Sequence, residues 1–226
     1  MARAYIYGDS LLKATMPDEQ FRYHFHLPEV MERYSGRQTE VVNRSKMGAT
    51  VRKGQALLEH DLRRGMQADY ALIAYGGNDS DFDWDAVQAH PQESHLPRTT
   101  LADFKEILLC MIRELRERGV QPVLMTLPPI DAQRYLDFLC REGRSRERIM
   151  DWLGDTQRIY RHQELYSDTV ARLAYETGTP LIGVREIFLD EKRLLKLIAA
   201  DGIHLTMEGY GKLFDTLAGW LRGMVA

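Results

Sequence analysis

Three side chains that lie far apart in the sequence have the chemistry needed to transfer an acyl group. Ser10 carries a hydroxyl, which is a poor nucleophile until a base takes its proton. His204 is the candidate base, because imidazole titrates near neutral pH. Asp201 stands three residues before His204 and can orient the imidazole and stabilise its charged form. Together they suit the roles of nucleophile, base and acid.

Acyl transfer also needs hydrogen-bond donors for the negative oxygen that forms during the attack. The candidate donors are the backbone N–H groups of Ser10 and Gly48 and the side-chain amide of Asn78. Glycine suits the second position, because a side chain would obstruct the approach of the backbone to a substrate. Taken singly, Ser10 suits a helix cap, and Asn78 and Asp201 suit turns. Only a common position in the fold would favour catalysis.

Five apolar runs of strand length supply that common position. Their nearly continuous hydrophobicity is typical of parallel strands that are buried on both faces. The runs cover Ala4–Tyr7, Glu40–Asn43, Tyr70–Tyr75, Pro122–Leu127 and Pro180–Val184. The candidate residues follow the first, second, third and fifth runs. Because ligands bind at the carboxyl ends of strands in such sheets, we expect these residues to converge at one edge.

Segments with helical periodicity separate the apolar runs. One helix is predicted to begin at Thr100, with Asp103 as its capping-box partner, a second to end at Gly178, and a third to begin near Thr206. Alternating strands and helices predict an α/β fold, a three-layer α/β/α sandwich around a five-stranded parallel sheet. No repeat or linker interrupts the pattern, so we expect a single domain over residues 1–226.

Two segments are longer than a minimal crossover between strands. Residues of about 80–98 follow the third run, and residues of about 130–163 follow the fourth. Insertions at the carboxyl ends of strands often cover or shape a site, so we interpret both as lid-like. Asp79, Trp152 and Tyr160 are the candidate substrate contacts, although the pattern of the two aromatic residues favours the core of the insertion over a substrate platform.

The four polar motifs resemble those of the SGNH/GDSL hydrolase family. Gly8–Leu11 reproduces its GDSL motif, Gly48 its second-block glycine, Gly76–Asp79 its GxND block and Asp201–His204 its closing DxxH block. The resemblance implies a flavodoxin-like sandwich and a reaction that needs no cofactor. It implies that the catalytic serine, glycine, asparagine and histidine are Ser10, Gly48, Asn78 and His204, with Asp201 completing the triad.

These residues predict a serine hydrolase that cleaves carboxylic esters through an acyl-enzyme intermediate. A short-chain or carbohydrate acetyl ester is the preferred small-molecule substrate. The same site would suit a thioesterase, a lysophospholipase-type acylhydrolase or an acyltransferase. The alternative from another class is a non-catalytic flavodoxin-like module that binds flavin or phosphate, which has no need of a base beside the serine.

Other polar clusters indicate less. His24 with His26 and His90 with His95 lack a cysteine or carboxylate cluster at ligand spacing, so no metal site is expected. The four arginines between positions 141 and 148 are interpreted as a solvated helix face, with a grip on an anionic part of the substrate as the alternative.

The composition is that of an ordinary globular protein. Of 226 residues, 44% are hydrophobic and 28% charged, and the net charge of -3 gives no reason to expect nucleic acid or an anionic membrane as partner. No run approaches the roughly 18 apolar residues of a membrane span, and the first apolar run is too short for a signal segment. Cys110 and Cys140 suit ordinary thiols. We expect a cytoplasmic protein without membrane insertion. The sequence leaves the oligomeric state open, with a homo-oligomer as one alternative.

Overall fold

The computed structural model describes residues 2–32, 39–141 and 143–225. Within them the strands are β1 (Ala2–Gly8), β2 (Thr15–Pro17), β3 (Tyr23–Phe25), β4 (Thr39–Asn43), β5 (Tyr70–Ala74), β6 (Gln121–Met125) and β7 (Leu181–Ile182). The helices are α1 (Leu27–Glu32), α2 (Val51–Arg63), α3 (Trp84–Ala89), α4 (Leu101–Glu117), α5 (Ala132–Cys140), α6 (Arg146–Leu153), α7 (Gln157–Thr177), α8 (Val184–Leu189) and α9 (Met207–Val225).

Five strands form one parallel sheet in the order β4-β1-β5-β6-β7. Ile6 of β1 pairs with Asn43 of β4 on one side and with Leu72 of β5 on the other. The direction of winding reverses between β1 and β5, as in flavodoxin-like sheets, and such a switch point opens a crevice at the carboxyl edge. The predicted five-stranded parallel sheet is confirmed.

The last strand of this sheet is shorter than its apolar run. Only Leu181–Ile182 pairs with β6, whereas the run extends to Val184. Val184 instead begins α8, and the next N–H, that of Arg185, donates to Thr126 Oγ1 at 2.9 Å. The chain therefore turns into a helix where hydrophobicity alone would continue the strand.

Helices cover both faces of the sheet, because successive residues of a strand point to opposite sides. On one face, Ile73 of β5 packs into a core with Phe104 of α4 and Tyr166 of α7. On the other face, Leu72 packs into a second core with residues of α8 and α9, including Leu213. The predicted three-layer sandwich is confirmed.

The long helices begin and end at the predicted signals. Thr100 Oγ1 accepts a hydrogen bond from Asp103 N at 3.2 Å at the start of α4. Gly178 has a left-handed φ of +59° and terminates α7, and α9 begins one residue after Thr206. No helix in the described ranges is long and apolar enough to cross a membrane.

Two features were not predicted from the sequence. β2 and β3 form an antiparallel pair in which Met16 lies opposite His24, and each strand has only three residues, too few for a periodic signal. In addition, the insertions 80–98 and 130–163 pack against each other, with α3 of the first on α6 of the second. Trp84 and Ile149, one from each insertion, share a third apolar core.

Candidate active site

Ser10 lies on the turn after β1, at the carboxyl edge of the sheet and beside the central strand β5. The chain is crowded here, because a Cβ at Gly8 would lie 2.9 Å from Leu12 Cδ1 and 3.3 Å from the carbonyl oxygen of Ala74. Asp9 Oδ1 accepts a hydrogen bond from Leu11 N at 3.0 Å. This bond braces the turn on which the Ser10 hydroxyl faces the crevice.

The three residues of the predicted triad are in contact. Ser10 Oγ lies 2.9 Å from His204 Nε2, and His204 Nδ1 lies 2.6 Å from Asp201 Oδ2. Asp201 is fully buried, and its other oxygen accepts hydrogen bonds from the backbone of Ile203 and His204. Burial raises the pKa of Asp201, but the hydrogen bonds from His204 outweigh it and hold the pKa below its ordinary value.

The loop before α9 carries Asp201 and His204 and packs closely against the start of α5. Gly202 has a φ of +80°, and a Cβ there would lie 2.5 Å from the carbonyl oxygen of Asp131 and 2.5 Å from Tyr135 N. Its own carbonyl accepts a hydrogen bond from Asp131 N at 2.8 Å. The glycine between the acid and the base therefore lets this loop pack directly against the start of α5.

The candidate oxyanion donors belong to residues that line the same crevice as the Ser10 hydroxyl. Gly48 has a left-handed φ of +68° in the loop between β4 and α2, and Ser10, Gly48 and Asn78 all line the crevice. Among the described residues, no acceptor pairs with the backbone N–H of Ser10 or Gly48. The side-chain amide of Asn78 donates to Asp9 Oδ2 and to the carbonyl oxygen of Ala49, each at 3.2 Å.

Two buried carboxyl groups flank these donors. Burial raises the pKa of Asp9 to about 6, although the hydrogen bond from Leu11 N, the nearby His204 and the amide of Asn78 oppose it. Burial also raises the pKa of Asp79 to about 6, and its repulsion with Asp9 adds to this rise. The Asp79 carboxylate accepts from Val51 N at 3.0 Å and so holds the start of α2.

A cavity of about 420 Å³ opens beside Ser10 and His204. Its walls come mainly from the two insertions. The lining residues beyond the candidate catalytic groups and their neighbours include Asp81, Phe82, Asp83, Trp84, Asp85 and Arg98 of the first insertion and Ile130, Tyr135, Phe138, Leu139, Arg144 and Ile159 of the second.

The three candidate substrate contacts do not line this cavity in the described structure. Asp79 is fully buried under α2. Trp152 packs behind the wall, with its ring 4.8 Å from that of Phe82, and Tyr160 lies beneath the guanidinium of Arg185 at 5.1 Å. The interpretation of these aromatic residues as core of the insertion agrees with their packing.

Sequence reasoning missed residues that do reach the site. Tyr23, on β3, lies with its ring 5.0 Å from that of His204, and Asp81 and Phe82 follow Asn78 directly into the cavity wall. The run of acids and aromatics after Asn78 could have indicated that this segment lines the site. No sequence signal indicates the position of Tyr23, because its hairpin depends on long-range packing.

Two arginines of the basic run in the second insertion bond to the first insertion. Arg144 Nε lies 2.7 Å from Asp85 Oδ1, and the Arg148 guanidinium donates to the carbonyl oxygens of Gln88 and Ala89. These bonds tie the second insertion to the first. Charge spacing alone does not indicate them, because the partners lie about 60 residues away in sequence.

Most of the basic run is solvent-facing. Arg141, Arg146 and Arg148 are exposed, which agrees with the interpretation of a solvated face.

Two of the histidines considered above each contact one carboxylate, and a third contacts a backbone carbonyl. His24 Nε2 lies 3.0 Å from Asp18, His90 Nδ1 lies 3.5 Å from Glu93, and His95 Nε2 lies 2.9 Å from the carbonyl oxygen of His90. In the part of the chain that the structure describes, no group of three or more histidine, cysteine and acidic residues is arranged to hold a metal ion.

Comparison with protein families agrees with this arrangement. The sequence model of the GDSL-like lipase/acylhydrolase family matches residues 6–212, a span that runs from β1 to α9 and contains all four motifs. The chain belongs to this family. This GDSL-like protein is therefore an esterase of the SGNH/GDSL type, a hydrolase that acts on ester bonds with a catalytic serine.

Known relatives of the GDSL-like chain include proteins named as acetate esterases. It is 23% identical to the isoamyl acetate-hydrolyzing esterase of Saccharomyces cerevisiae, over 94% of this chain and 82% of that protein. A lipase/acylhydrolase from Enterococcus faecalis has a similar fold, with a TM-score of 0.67, 20% identity and coverage of 99% and 97%. A catalytic mutant of an acetylxylan esterase from Geobacillus stearothermophilus gives a TM-score of 0.64, 17% identity and coverage of 96% and 92%.

Proposed function

We propose that the chain hydrolyses carboxylic esters with Ser10 as nucleophile, His204 as general base and Asp201 as the acid that orients His204. The observation that carries the proposal is the continuous contact of 2.9 Å between Ser10 Oγ and His204 Nε2 and of 2.6 Å between His204 Nδ1 and Asp201 Oδ2. A merely structural role for three buried polar groups would not require a base aimed at a hydroxyl.

The first step follows from the tautomer that Asp201 selects. With the Nδ1 proton of His204 donated to Asp201, Nε2 presents a lone pair to the Ser10 hydroxyl. Nε2 takes the proton as Oγ bonds to the ester carbonyl carbon. The buried Asp201 carboxylate then stabilises the imidazolium that forms, which lowers the barrier to attack.

The carbonyl oxygen becomes negative in this step and needs donors already in place. The backbone N–H groups of Ser10 and Gly48 supply two, and the amide of Asn78 supplies a third. The amide of Asn78 makes two long hydrogen bonds of 3.2 Å, to Asp9 and to Ala49. Because a charged acceptor binds a donor more strongly, the oxyanion can draw one of these hydrogens away from the Ala49 carbonyl.

The remaining steps return the enzyme to its starting state. The imidazolium of His204 gives its proton to the departing alkoxide, which leaves as the alcohol, and the acyl group stays on Ser10 Oγ. A water molecule then loses a proton to His204 and attacks the acyl carbon, which releases the acid and restores the Ser10 hydroxyl. His204 and Ser10 handle every proton in this sequence, so the proposed reaction calls for no cofactor.

We assign an acetyl or other short acyl group to the substrate. Support comes from the yeast relative, which is named for hydrolysing isoamyl acetate, and from the Geobacillus fold neighbour, which is named as an acetylxylan esterase. An acetylated carbohydrate is thus one member of the proposed class, and a simple alkyl acetate is another.

A fluorophosphonate probe tests the proposed nucleophile. The wild-type protein should hydrolyse p-nitrophenyl acetate and lose this activity as the probe attaches to Ser10, located by peptide mass mapping. The matched control is Ser45→Ala, since Ser45 is also a buried serine that follows a strand but does not line the cavity. Ser45→Ala should label normally and Ser10→Ala should not label. Labelling that persists in Ser10→Ala would contradict the proposal.

A further inference from the structure

We propose that the cavity between the two insertions binds an uncharged, apolar alcohol group of the ester, since the proposed function already assigns a short group to the acyl side. The inference rests on the proposed esterase function and names the chemistry that the site selects. It starts from the continuity of the cavity, because the same 420 Å³ space contains the Ser10 hydroxyl and extends between segments 80–98 and 130–163.

The walls of the cavity are predominantly aromatic and aliphatic. Phe82 and Trp84 contribute from the first insertion, and Ile130, Phe138, Leu139 and Ile159 from the second. Pockets with such a lining bind ligands chiefly by removing apolar surface from water. Of the two substrate types proposed above, this lining favours the alkyl acetate, because the hydroxyl-rich face of a sugar would find few groups here with which to hydrogen-bond.

The charged residues in the cavity wall are engaged with one another. Asp81 accepts hydrogen bonds from Trp84 Nε1 and from the Tyr135 hydroxyl, both at 2.8 Å, and lies 3.2 Å from the Arg98 guanidinium. Three donors on one carboxylate leave little capacity for a further partner. These bonds also fix the ring planes of two wall residues, so Asp81 acts as a positioning residue for the apolar wall.

The other two acids of this segment, Asp83 and Asp85, are exposed at the rim of the cavity. Asp83 Oδ1 accepts from the N–H groups of Asp85 and Ala86 at the first turn of α3. Asp85 forms a two-point ion pair with Arg144, at 2.7 and 3.1 Å. A cation in the apolar interior would lose its hydration without a carboxylate beside it, because Asp83 and Asp85 stay in solvent and Asp81 already accepts from three donors. That loss is unfavourable. The wall therefore favours a neutral group despite its three acids.

The two insertions hold this wall at a fixed spacing. Besides the pair of Asp85 with Arg144, Ser145 N donates to Gln88 Oε1 at 2.8 Å, and Asp81 joins the first insertion to Tyr135 of the second. A wall that is fixed before the substrate arrives loses little entropy on binding. The cavity is therefore organised to select by size as well as by polarity.

The size of the cavity sets the expected response. A volume of 420 Å³ holds about fourteen water molecules at about 30 Å³ each, which is room for a group of roughly ten non-hydrogen atoms. Each methylene that enters an apolar site contributes about 0.8 kcal/mol, so kcat/KM should rise about fourfold per added methylene until the cavity is full.

Two substrate series test the proposal and locate the group. One series varies the alcohol of acetate esters from methyl to dodecyl, and the other varies the acyl chain of p-nitrophenyl esters from acetyl to dodecanoyl. The alcohol series should rise steeply and the acyl series should not, whereas a steep rise in the acyl series would place the cavity on the acyl side and overturn the proposal. Profiles that are flat or that fall in both series would overturn the proposal.

A pair of isosteric esters tests the charge. Acetylcholine and 3,3-dimethylbutyl acetate have the same shape, but only the first is a cation. The neutral ester should have a kcat/KM at least about tenfold higher, because burial of an unpaired charge is unfavourable. An equal or higher value for acetylcholine would refute the neutral character of the cavity.

Variants of one wall residue separate the cavity from the catalytic groups. Ile130→Trp should shorten the longest chain that still gains in kcat/KM, and Ile130→Ala should lengthen it. The matched control is Leu165→Trp on the exposed side of α7, which should leave the chain-length profile unchanged. Unshifted profiles in both Ile130 variants would overturn the proposal. If the probe still labels Ser10, that failure concerns the cavity alone, whereas loss of labelling in the wild type would count against the esterase mechanism.

Discussion

The buried Asp9 carboxyl makes a quantitative prediction that links stability to function. Burial raises its pKa from an ordinary value of 3.8 to about 6, so the folded state holds this proton more tightly than the unfolded chain does. Ionisation of Asp9 therefore destabilises the fold as the pH rises from about 4 to about 6. A rise of about two pKa units corresponds to about 3 kcal/mol of lost stability above pH 6.

Asp9→Asn removes this ionisation and should stabilise the protein only where wild-type Asp9 is charged. The free energy of unfolding, measured by urea denaturation, should show a gain that is about 2 kcal/mol larger at pH 8 than at pH 4.5. Taking the difference between two pH values cancels the direct effect of the substitution on contacts. A gain of the same size at both pH values would show that ionisation of Asp9 does not destabilise the fold.

A second buried carboxylate provides the control for Asp9. Asp61 forms an ion pair with Arg44 at 2.7 Å and accepts from the Tyr7 hydroxyl, so Asp61→Asn should lose stability at pH 8.

Asp9→Asn should also lower kcat, because Asn78 would lose its anionic acceptor. That fall should be smaller than the one in Asn78→Ala, since the amide itself remains. A stabilised variant with unchanged kcat would show that Asp9 does not orient Asn78.

Three further substitutions test the parts of the site separately. Asn78→Ala should lower kcat by about 10² to 10³ with little change in KM, since the amide acts on the transition state. Steady-state kinetics that show a raised KM with unchanged kcat would contradict this role. Asp201→Asn should lower kcat by about 10⁴, because the amide would favour the wrong imidazole tautomer, and a loss below tenfold would contradict its orienting role. Gly202→Ala should destabilise the fold by about 2 kcal/mol or more, since its Cβ would collide with backbone atoms of Asp131 and Tyr135, and an unchanged melting temperature would count against this crowding.

The sheet and its long helices could be predicted because their signals are local. Parallel strands buried on both faces read as continuous apolar runs, and Thr100 and Gly178 mark helix ends by their own conformational preferences. The convergence of Ser10 and His204 followed from topology, because the carboxyl ends of parallel strands share one edge. Their direct contact also depends on the packing of Gly202 against the start of α5, which the order of the strands does not reveal.

The cavity could not be predicted because it depends on pairings between distant segments. Asp85 and Arg144 form an ion pair although they lie 59 positions apart in the sequence, and the local sequence around neither residue indicates its partner. The signal for Trp152 was ambiguous for a physical reason, since an aromatic ring that lines a pocket and one that packs behind it have the same sequence pattern. The three-residue strands around Tyr23 carry no periodicity at all.

The most direct test of the proposed mechanism is kcat for p-nitrophenyl acetate in Ser10→Ala. Among the described residues, its hydroxyl is the nucleophile that contacts His204 Nε2, which takes the proton as Oγ bonds to the acyl carbon. We expect a fall in kcat of about 10⁶, with unfolding unchanged and with Ser45→Ala close to wild type. A Ser10→Ala protein that keeps more than about a hundredth of wild-type kcat would contradict the proposed mechanism.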